Sequence, residues 1–320
     1  HGEIGERMDG RWWGGYYGWR WPHGAWILLE STLIAGANAN LLTGDASWFD
    51  LHRSQSDLLW SLRETREGEV VVPFRHGANG WFDYRPMQPR HHLHLYYLSR
   101  DPEDWARIET RFPDRAAWYE GSPSFGKAGH FWPERWFGYV MEENPDFPDQ
   151  VLTDTETCMQ RRLDAIDVDD WESLETWDVH HWQDLNPVVP EGLIQMTMGT
   201  PAAVYHGGLL HASVRYFDPV LFRPGLPDAV AALVERLTPG GLLLSLVNTD
   251  PLAGRIVLVQ AGTFGEHHVT DVTVKGRDGR TETVVVDDNV FQVKLGPGAH
   301  ARREIGMERY LPIWIGACEA

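Results

Sequence analysis

The sequence predicts a mainly helical chain that ends in strands: a partial (α/α) toroid of helical hairpins followed by a small C-terminal antiparallel β-sandwich. Two observations lead to this fold class. As far as about residue 204, apolar residues recur at helical spacing in paired segments. From about Leu237, short runs rich in Val, Thr and Leu alternate with turn signals. We place the boundary in the Pro- and Gly-rich stretch 222–227, which gives a helical-hairpin domain over 1–225 and a β-sandwich domain over 226–320.

The first helical hairpin has the clearest signals. Apolar residues in 24–43 follow one helical face, and Gly44 stands at a C-cap position. Asp45 or Ser47 then provides an N-cap for a second helix that runs to Glu64. We expect the two helices to lie antiparallel.

Further hairpins repeat this arrangement along the helical domain. The predicted helices are 91–98, 102–108, 132–141, 148–166 and 191–204. Loops rich in Gly and aromatic residues, at 73–90 and 177–190, precede helices in a repeat of roughly 55 to 65 residues. Hairpins in series bury their inner faces only against each other, so we expect them to curve into a toroid.

The C-terminal domain is predicted to hold five strands. They are 242–247, 255–260, 268–274, 281–286 and 291–295. Turn signals at Pro239-Gly240, Asp278-Gly279 and 296–298 separate some of them. A short helix over 228–237 is expected to lead into the sheet.

Composition narrows the class of partner. The chain has 46 Asp and Glu against 28 Lys and Arg, a formal net charge of -18, which argues against nucleic acid as a partner. No apolar run approaches the roughly 18 residues of a membrane span. Because the chain opens at His1 inside what we take to be an ordered element, we expect it to be the C-terminal part of a longer protein. A periplasmic, secreted or cytoplasmic location and the oligomeric state all stay open.

Metal and cofactor signals are weak. Cys158 and Cys318 are far apart and have no zinc-type spacing. His91 and His94 are i,i+3 neighbours on a predicted helix, and no matching carboxylate spacing accompanies them. We therefore expect neither a metal site nor a cofactor.

The segment Trp12–Gly24 is the most informative stretch of the chain, with six aromatic rings and four glycines in thirteen residues. Such a surface suits a flat, partly apolar ligand, and sugars are the commonest one, since the C–H face of a pyranose packs on an indole. The expected stacking residues are Trp13, Trp19, Trp21, Trp81 and Trp182. The alternative for each is a place in the core.

Hydrolysis of a glycosidic bond requires two carboxyl groups, one to donate a proton and one to act as base or nucleophile. Asp83, Asp178 and Glu191 lie at predicted loop-to-helix junctions. Each could instead stabilise the first turn of a helix. Polar neighbours expected to bind substrate hydroxyls are His23, His180, His181 and Asn186.

Elimination from a uronate needs different groups: a neutral base, a proton donor and a group that neutralises the carboxylate. Tyr84 and His181 could transfer the protons, while Asn186 and Arg85 neutralise the uronate. Arg75, Arg85 and Arg90 form a basic cluster that suggests an acidic sugar. The alternative is that these arginines pair with Asp83. A binding protein without catalytic groups is a third hypothesis.

The combination of a toroid, a sandwich and Trp- and His-bearing loops resembles carbohydrate-active enzymes of the six-hairpin type, which include glycoside hydrolases and polysaccharide lyases. The segments that carry the resemblance are Trp21-Pro22-His23-Gly24, Gly80–Pro86 and Trp177–Pro187. The resemblance implies a carbohydrate substrate, with hydrolysis the first expectation and elimination the second. A complete toroid of this type has about a dozen helices, so about half of it would precede His1.

Overall fold

The computed structural model describes residues 7–8, 11–12, 25–26, 29–77, 80–119, 133–169, 181, 185–201, 209–238, 240–275 and 280–309. These residues form seven α-helices and several antiparallel sheets, so the fold is mixed α and β. The chain divides into two compact units, 1–111 and 112–320. The presence of helices followed by antiparallel C-terminal strands is confirmed at this level. The toroid, the sandwich and the boundary at 225 stay predictions.

The first unit contains the two predicted helices of the first hairpin. Helix α1 (Leu29–Thr43) ends where the Gly44 amide donates to the Asn40 carbonyl, and Gly44 has a φ of 73°, which glycine adopts without strain. The Asp45 carboxylate accepts from the Ser47 amide at 2.9 Å and begins a 3-10 turn, Ala46–Phe49. Helix α2 (Asp50–Ser61) follows directly. The predicted caps are confirmed.

Two more helices complete the helical part of the first unit, α3 (Arg90–Ser99) and α4 (Pro102–Arg111). Arg100 is left-handed, with a φ of 53°, and its amide donates to the Tyr96 carbonyl, which ends α3. The Asp101 carboxylate then accepts from the Glu103 amide. The hydrophobic core here is made by α1, the 3-10 turn and α3, through Leu33, Ala37, Phe49 and Leu95.

A β-sheet lies mostly between α2 and α3 in the sequence, where the sequence predicted a loop over 73–90, and one short strand of it precedes α1. Its strands are β3 (Ala25–Trp26), β4 (Glu64–Arg66), β5 (Glu69–Gly77) and β6 (Gly80–Pro86), after a short pair, β1 (Arg7–Met8) and β2 (Arg11–Trp12). β5 is central and pairs antiparallel with the other three. The loop prediction is wrong because Gly77 and Gly80 flank a short hairpin connection and are not part of a long loop. Val, Phe, Trp and Tyr supply the strand propensity on either side.

The helices of the second unit are α5 (Pro133–Val140), α6 (Phe147–Asp167) and α7 (Glu191–Met198). Trp136, Phe137 and Phe147 are fully buried on α5 and α6. Helix α7 ends at Gly199, which has a φ of 60°, earlier than the predicted end at residue 204.

Two antiparallel sheets follow α7. The strands are β7 (Val214–Asp218), β8 (Arg223–Pro224), β9 (Val230–Thr238), β10 (Gly241–Asn248), β11 (Arg255–Ala261), β12 (His267–Lys275), β13 (Thr281–Asp288), β14 (Val290–Leu295) and β15 (His300–Arg309). One sheet has the order β13-β12-β15-β10-β9 and the other β14-β11-β7-β8. All five predicted strands are present, and β7, β8, β9 and β15 are additional.

The structure has strand β9 where the sequence predicted a helix over 228–237, so that prediction is wrong. Its apolar residues Val230, Val234 and Leu237 fall at helical spacing, which explains the error. The register against β10 shifts between Leu243 and Leu244, the mark of a β-bulge. The bulge adds one residue to β9, so the residues on its buried face are not two apart throughout. Their spacing therefore resembles that of a helix.

Burial of His211 leads to a prediction for acid stability. Burial first, and then the positive charge of Arg309, lower the pKa of His211 to about 4 from 6.5. A lowered pKa means that the unfolded chain binds this proton first, so stability present above pH 6.5 is lost as the pH falls towards 4. The loss attributable to His211 is roughly 3 kcal/mol in this window. Urea unfolding of the wild type and His211→Asn between pH 7 and 4 measures it: the variant should show the shallower pH dependence, and equal slopes would contradict the prediction.

Candidate functional site

The predicted site residues divide into three groups. Trp81, Asp83, Tyr84 and Arg85 lie on β6 in the first unit, and His181, Asn186 and Glu191 lie in the second. The others, Trp13, Trp19, Trp21, His23, Asp178, His180 and Trp182, lie outside the described residues. The two described groups belong to different units, and each has its own local chemistry.

An aromatic platform surrounds the group on β6. Partly buried side chains of Trp60, Phe74, Trp81 and Met87 pack against a buried pair, Leu59 and Val72. The His76 ring stands edge-on to Trp81, with ring centroids 4.7 Å apart. The register pairs His76 with Trp81 across β5 and β6, so the hairpin itself brings the two rings together.

Arginines border the aromatic platform. The Arg63 guanidinium lies 4.9 Å from the centre of the Trp60 ring, and Arg85 lies 5.7 Å from the centre of Phe74. A third guanidinium, that of Arg111, lies 5.5 Å from Trp60. Partly exposed rings next to guanidinium groups can bind a ligand that is apolar on one face and anionic at its edge.

Asp83 holds two of the neighbouring arginines. Nε and Nη2 of Arg85 donate to its two carboxylate oxygens, both at 2.9 Å, and Arg75 Nε lies 3.0 Å from Oδ2. This is the arginine pairing that the sequence left open as an alternative. Asp83 also has a φ of 58° inside a strand, a conformation that Asp tolerates better than most residues and that often marks functional sites.

Tyr84 is engaged within its own sheet. Burial first, and then a hydrogen bond with Glu64, raise the pKa of Tyr84 above its usual value. The Arg66 guanidinium covers the ring at 4.1 Å from its centre. A phenol with a raised pKa that is bonded to a carboxylate is a poor proton acceptor at neutral pH.

The aromatic segment that drew attention in the sequence leads directly into this sheet. Strand β3 begins at Ala25, immediately after Gly24, and its register places Ala25 opposite His76 and Trp26 opposite Arg75. The two residues that follow the aromatic segment therefore pair with β5, the strand that carries Arg75.

The described residues of the second unit make three local contacts near the ends of α6 and α7, which together are called the junction cluster: Asp169 with His181, Arg162 with Asn186, and Glu191 near Cys158. His181 Nε2 lies 3.0 Å from Asp169 Oδ2, two residues beyond the end of α6. The Arg162 guanidinium donates to the Asn186 carbonyl, and the Asn186 side chain accepts from the Val188 amide at 3.0 Å. These two bonds hold Asn186, which lies shortly before α7.

Glu191 is the first residue of α7, as its predicted role at a helix start requires. Its Oε2 atom is buried and has no hydrogen-bond partner among the described residues. The thiol of Cys158 is close by: burial raises its pKa, Arg162 and Arg161 oppose this, and the charge of Glu191 adds to it. An unsatisfied buried carboxylate oxygen is costly and calls for an explanation beyond packing.

Sequence reasoning missed several members of both groups. Trp60 and Arg63 lie on and just after α2, outside the loops in which the sequence placed the site, and Phe74 lay in the predicted loop. Asp169 stood at the end of a predicted helix. The available signal was the hairpin flanked by Gly77 and Gly80, which would have placed Phe74 beside β6.

Among the described residues, no group of three or more His, Cys, Asp and Glu side chains could hold a metal ion. Within the same part of the chain, every helix is too short or too polar to cross a bilayer.

Comparison with known proteins identifies a family. No curated protein sequence and no solved structure matches the chain. One family model, described as "Domain of unknown function (DUF8034)", matches residues 1–71 and 62–194, a span that contains the aromatic platform and the junction cluster. Because the match covers more than half of the chain, the protein belongs to the DUF8034 family.

Proposed function

We propose that this protein is a glycan-active enzyme, a glycoside hydrolase that binds a uronate-bearing poly- or oligosaccharide. The aromatic platform bordered by Arg63 and Arg85 is the observation that carries the proposal. Pyranose rings stack on partly exposed aromatic faces, and guanidinium groups bind carboxylates through paired hydrogen bonds.

Charge supports an acidic sugar in preference to a neutral one. The chain as a whole carries a formal net charge of -18, so most of its surface repels anions. Arginines border the platform, where Asp83 pairs with Arg75 and Arg85, and Asp57 pairs with Arg111. In this proposal Asp83 orients Arg75 and Arg85 for the ligand, a change from the acid or base role expected from the sequence.

For the chemical step we propose Glu191 as a catalytic carboxyl group, on the local chemistry of the second unit alone. The buried Oε2 of Glu191 lacks a hydrogen-bond partner among the described residues, which favours a chemical role over a capping role. Asp178 remains a candidate for the second carboxylate.

The finer fold belongs to the same proposal: the helices form part of an α/α toroid, and the two C-terminal sheets pack as a sandwich. Both sheets contain strands with alternating burial, which supports this. Leu242, Leu244 and Leu246 are buried on β10, and Val257, Val259 and Ala261 on β11.

A uronate lyase is the second candidate, and the pairing of His181 with Asp169 favours it. A histidine held by a carboxylate is a suitable base for the proton at C5. The raised pKa of Tyr84 argues against the alternative in which Tyr84 is that base.

Product analysis distinguishes these hypotheses. The protein is incubated with polyuronates and neutral polysaccharides, and new reducing ends are measured together with absorbance of unsaturated uronate. Reducing ends alone support the hydrolase, and a rise in both signals supports the lyase. Binding without either product indicates a non-catalytic binding protein, and no binding contradicts the proposal.

Two variants locate the function. Trp81→Ala removes a ring of the platform and should weaken polyuronate binding about 10-fold, measured by isothermal titration calorimetry. Trp48→Ala, at a Trp that is 50 % exposed and outside the platform, is the control and should bind normally.

Glu191→Gln should lower kcat about 100-fold or more, whereas Glu156→Gln, at an exposed position on α6, should not. Full activity in Glu191→Gln would remove Glu191 from the mechanism.

A further inference from the structure

We propose that Arg63 binds the carboxylate of an acidic sugar on the aromatic platform and so determines the preference for uronates. Arg63 lies between the end of α2 and the start of β4, and its side chain is exposed. Its guanidinium stands 4.9 Å from the centre of the ring of Trp60, a member of the platform. The sugar rests on the proposed function, whereas the choice of Arg63 as the anion-binding group rests on its own contacts.

Two contacts hold the Arg63 guanidinium in place. Its Nη1 donates to the Trp60 carbonyl at 2.8 Å, and its charge lies over the Trp60 ring. Among the described residues, no carboxylate pairs with Arg63, and its Nε and Nη2 donate to no protein group. These two atoms form the fork that matches the two oxygens of a carboxylate. A fork that is already held in position loses less conformational entropy when a ligand binds.

The other arginines beside the platform already bind carboxylates. Nε and Nη2 of Arg85 both donate to Asp83, and Arg75 uses its Nε for the same carboxylate. The side chain of Arg111 is only 5 % exposed, and its Nη2 donates to Asp57. A ligand carboxylate would have to displace a protein carboxylate to bind any of these three arginines through the same atoms.

Repulsion between neighbouring arginines adds attraction for an anion. Asp57 is the carboxylate that binds Arg111, and it also binds Arg107. Burial first lowers the pKa of Arg111, Asp57 opposes this, and the positive charges of Arg107 and Arg63 lower the pKa further. Arg63 is therefore close enough to Arg111 for their charges to repel each other. A carboxylate bound to Arg63 would reduce that repulsion.

Arg66 provides a matched control three residues further along the chain. Its guanidinium also lies over an aromatic ring, 4.1 Å from the centre of Tyr84, and its side chain is 51 % exposed. Unlike in Arg63, both Nε and Nη2 donate to a carboxylate oxygen, Oε2 of Glu64, at 3.0 and 2.9 Å. The comparison of Arg66 with Arg63 therefore tests whether an unoccupied fork is what binds the ligand.

The test compares binding of trigalacturonate and of its fully methyl-esterified form by isothermal titration calorimetry. The sugar rings are the same, and only the free acid carries carboxylates. Arg63→Gln should weaken binding of the free acid about 10-fold and change binding of the ester by less than about 2-fold. Arg66→Gln should change neither by more than about 2-fold. An unchanged preference for the free acid in Arg63→Gln overturns the inference and leaves the proposed function standing.

A probe that is not a sugar separates the two proposals. Benzoate combines an aromatic ring with a carboxylate. Benzoate and trigalacturonate are each titrated into protein labelled with ¹⁵N-arginine, and NMR at low temperature follows the Nε–H signal of Arg63, which Arg63→Gln assigns. We expect this signal to shift more than that of Arg66. If no sugar binds but benzoate shifts the Arg63 signal, the proposed function fails and the anion-binding role stands. No shift of the Arg63 signal with either probe overturns the inference.

Discussion

Replacing Asp104 with alanine is expected to lower the free energy of unfolding by about 3 to 5 kcal/mol. Asp104 is only 1 % exposed, yet it accepts four hydrogen bonds. Arg53 donates from Nε at 3.0 Å and Nη2 at 2.7 Å, Arg107 from Nη1 at 2.9 Å, and Ser99 from its hydroxyl at 2.7 Å. The bond with Asp104 is also the largest cause that raises the pKa of Arg53. The alanine variant would leave the guanidinium groups of Arg53 on α2 and Arg107 on α4 without the carboxylate that both bind.

A matched control is available on the same arginine. Asp50 pairs with Arg53 at 3.2 Å, but its side chain is 69 % exposed. Asp50→Ala should therefore cost no more than about 1 kcal/mol. Urea unfolding followed by tryptophan fluorescence measures both variants. Similar losses of unfolding free energy in the two variants would show that burial of Asp104 does not determine its contribution to stability.

Replacing Gly241 with alanine is the second change with a large expected effect, about 3 kcal/mol or more of lost stability. A Cβ at this position would lie 1.9 Å from the Ile305 carbonyl oxygen and 3.2 Å from the Gly306 Cα on β15. These are backbone atoms of the neighbouring strand, so no side chain can move aside to make room. The pairing of β10 with β15, which starts at Gly241 opposite Gly306, would have to open.

The adjacent glycine is the control. A Cβ on Gly240 would meet nothing within 4 Å. Gly240→Ala should therefore leave stability unchanged or raise it by up to about 1 kcal/mol, because alanine restricts the unfolded chain. Urea unfolding at equal protein concentration compares the two variants. If Gly241→Ala were as stable as Gly240→Ala, the close approach of β10 to β15 would be wrong.

Helix positions in this chain could be predicted because their signals are local. The end of α1 at Gly44 and the cap at Asp45 depend on residues within one turn of each other. Strands β10 and β11 could be predicted equally well, since short continuous runs of Leu, Val and Ile there are bounded by turn signals. These elements needed no knowledge of distant partners.

The predictions for two segments were wrong for a related reason. The bulge in β9 displaced its alternation so that Val230, Val234 and Leu237 matched a helix. In β5 and β6, glycine and proline obscured strands whose stability comes from pairing with each other. Pairing and burial outweigh local propensity in both places.

The candidate site was predictable in its residue types and not in its arrangement. Aromatic and arginine side chains in the sequence already favoured a sugar ligand. Only the fold decided that Asp83 binds Arg75 and Arg85, and that His181 meets Asp169. Local signals arise from sterics and hydrogen bonds between near neighbours, which the order of residues specifies. Contacts such as Arg75 with Asp83 and Asp169 with His181 depend on how the intervening chain closes, and that is settled by burial and pairing across the whole unit.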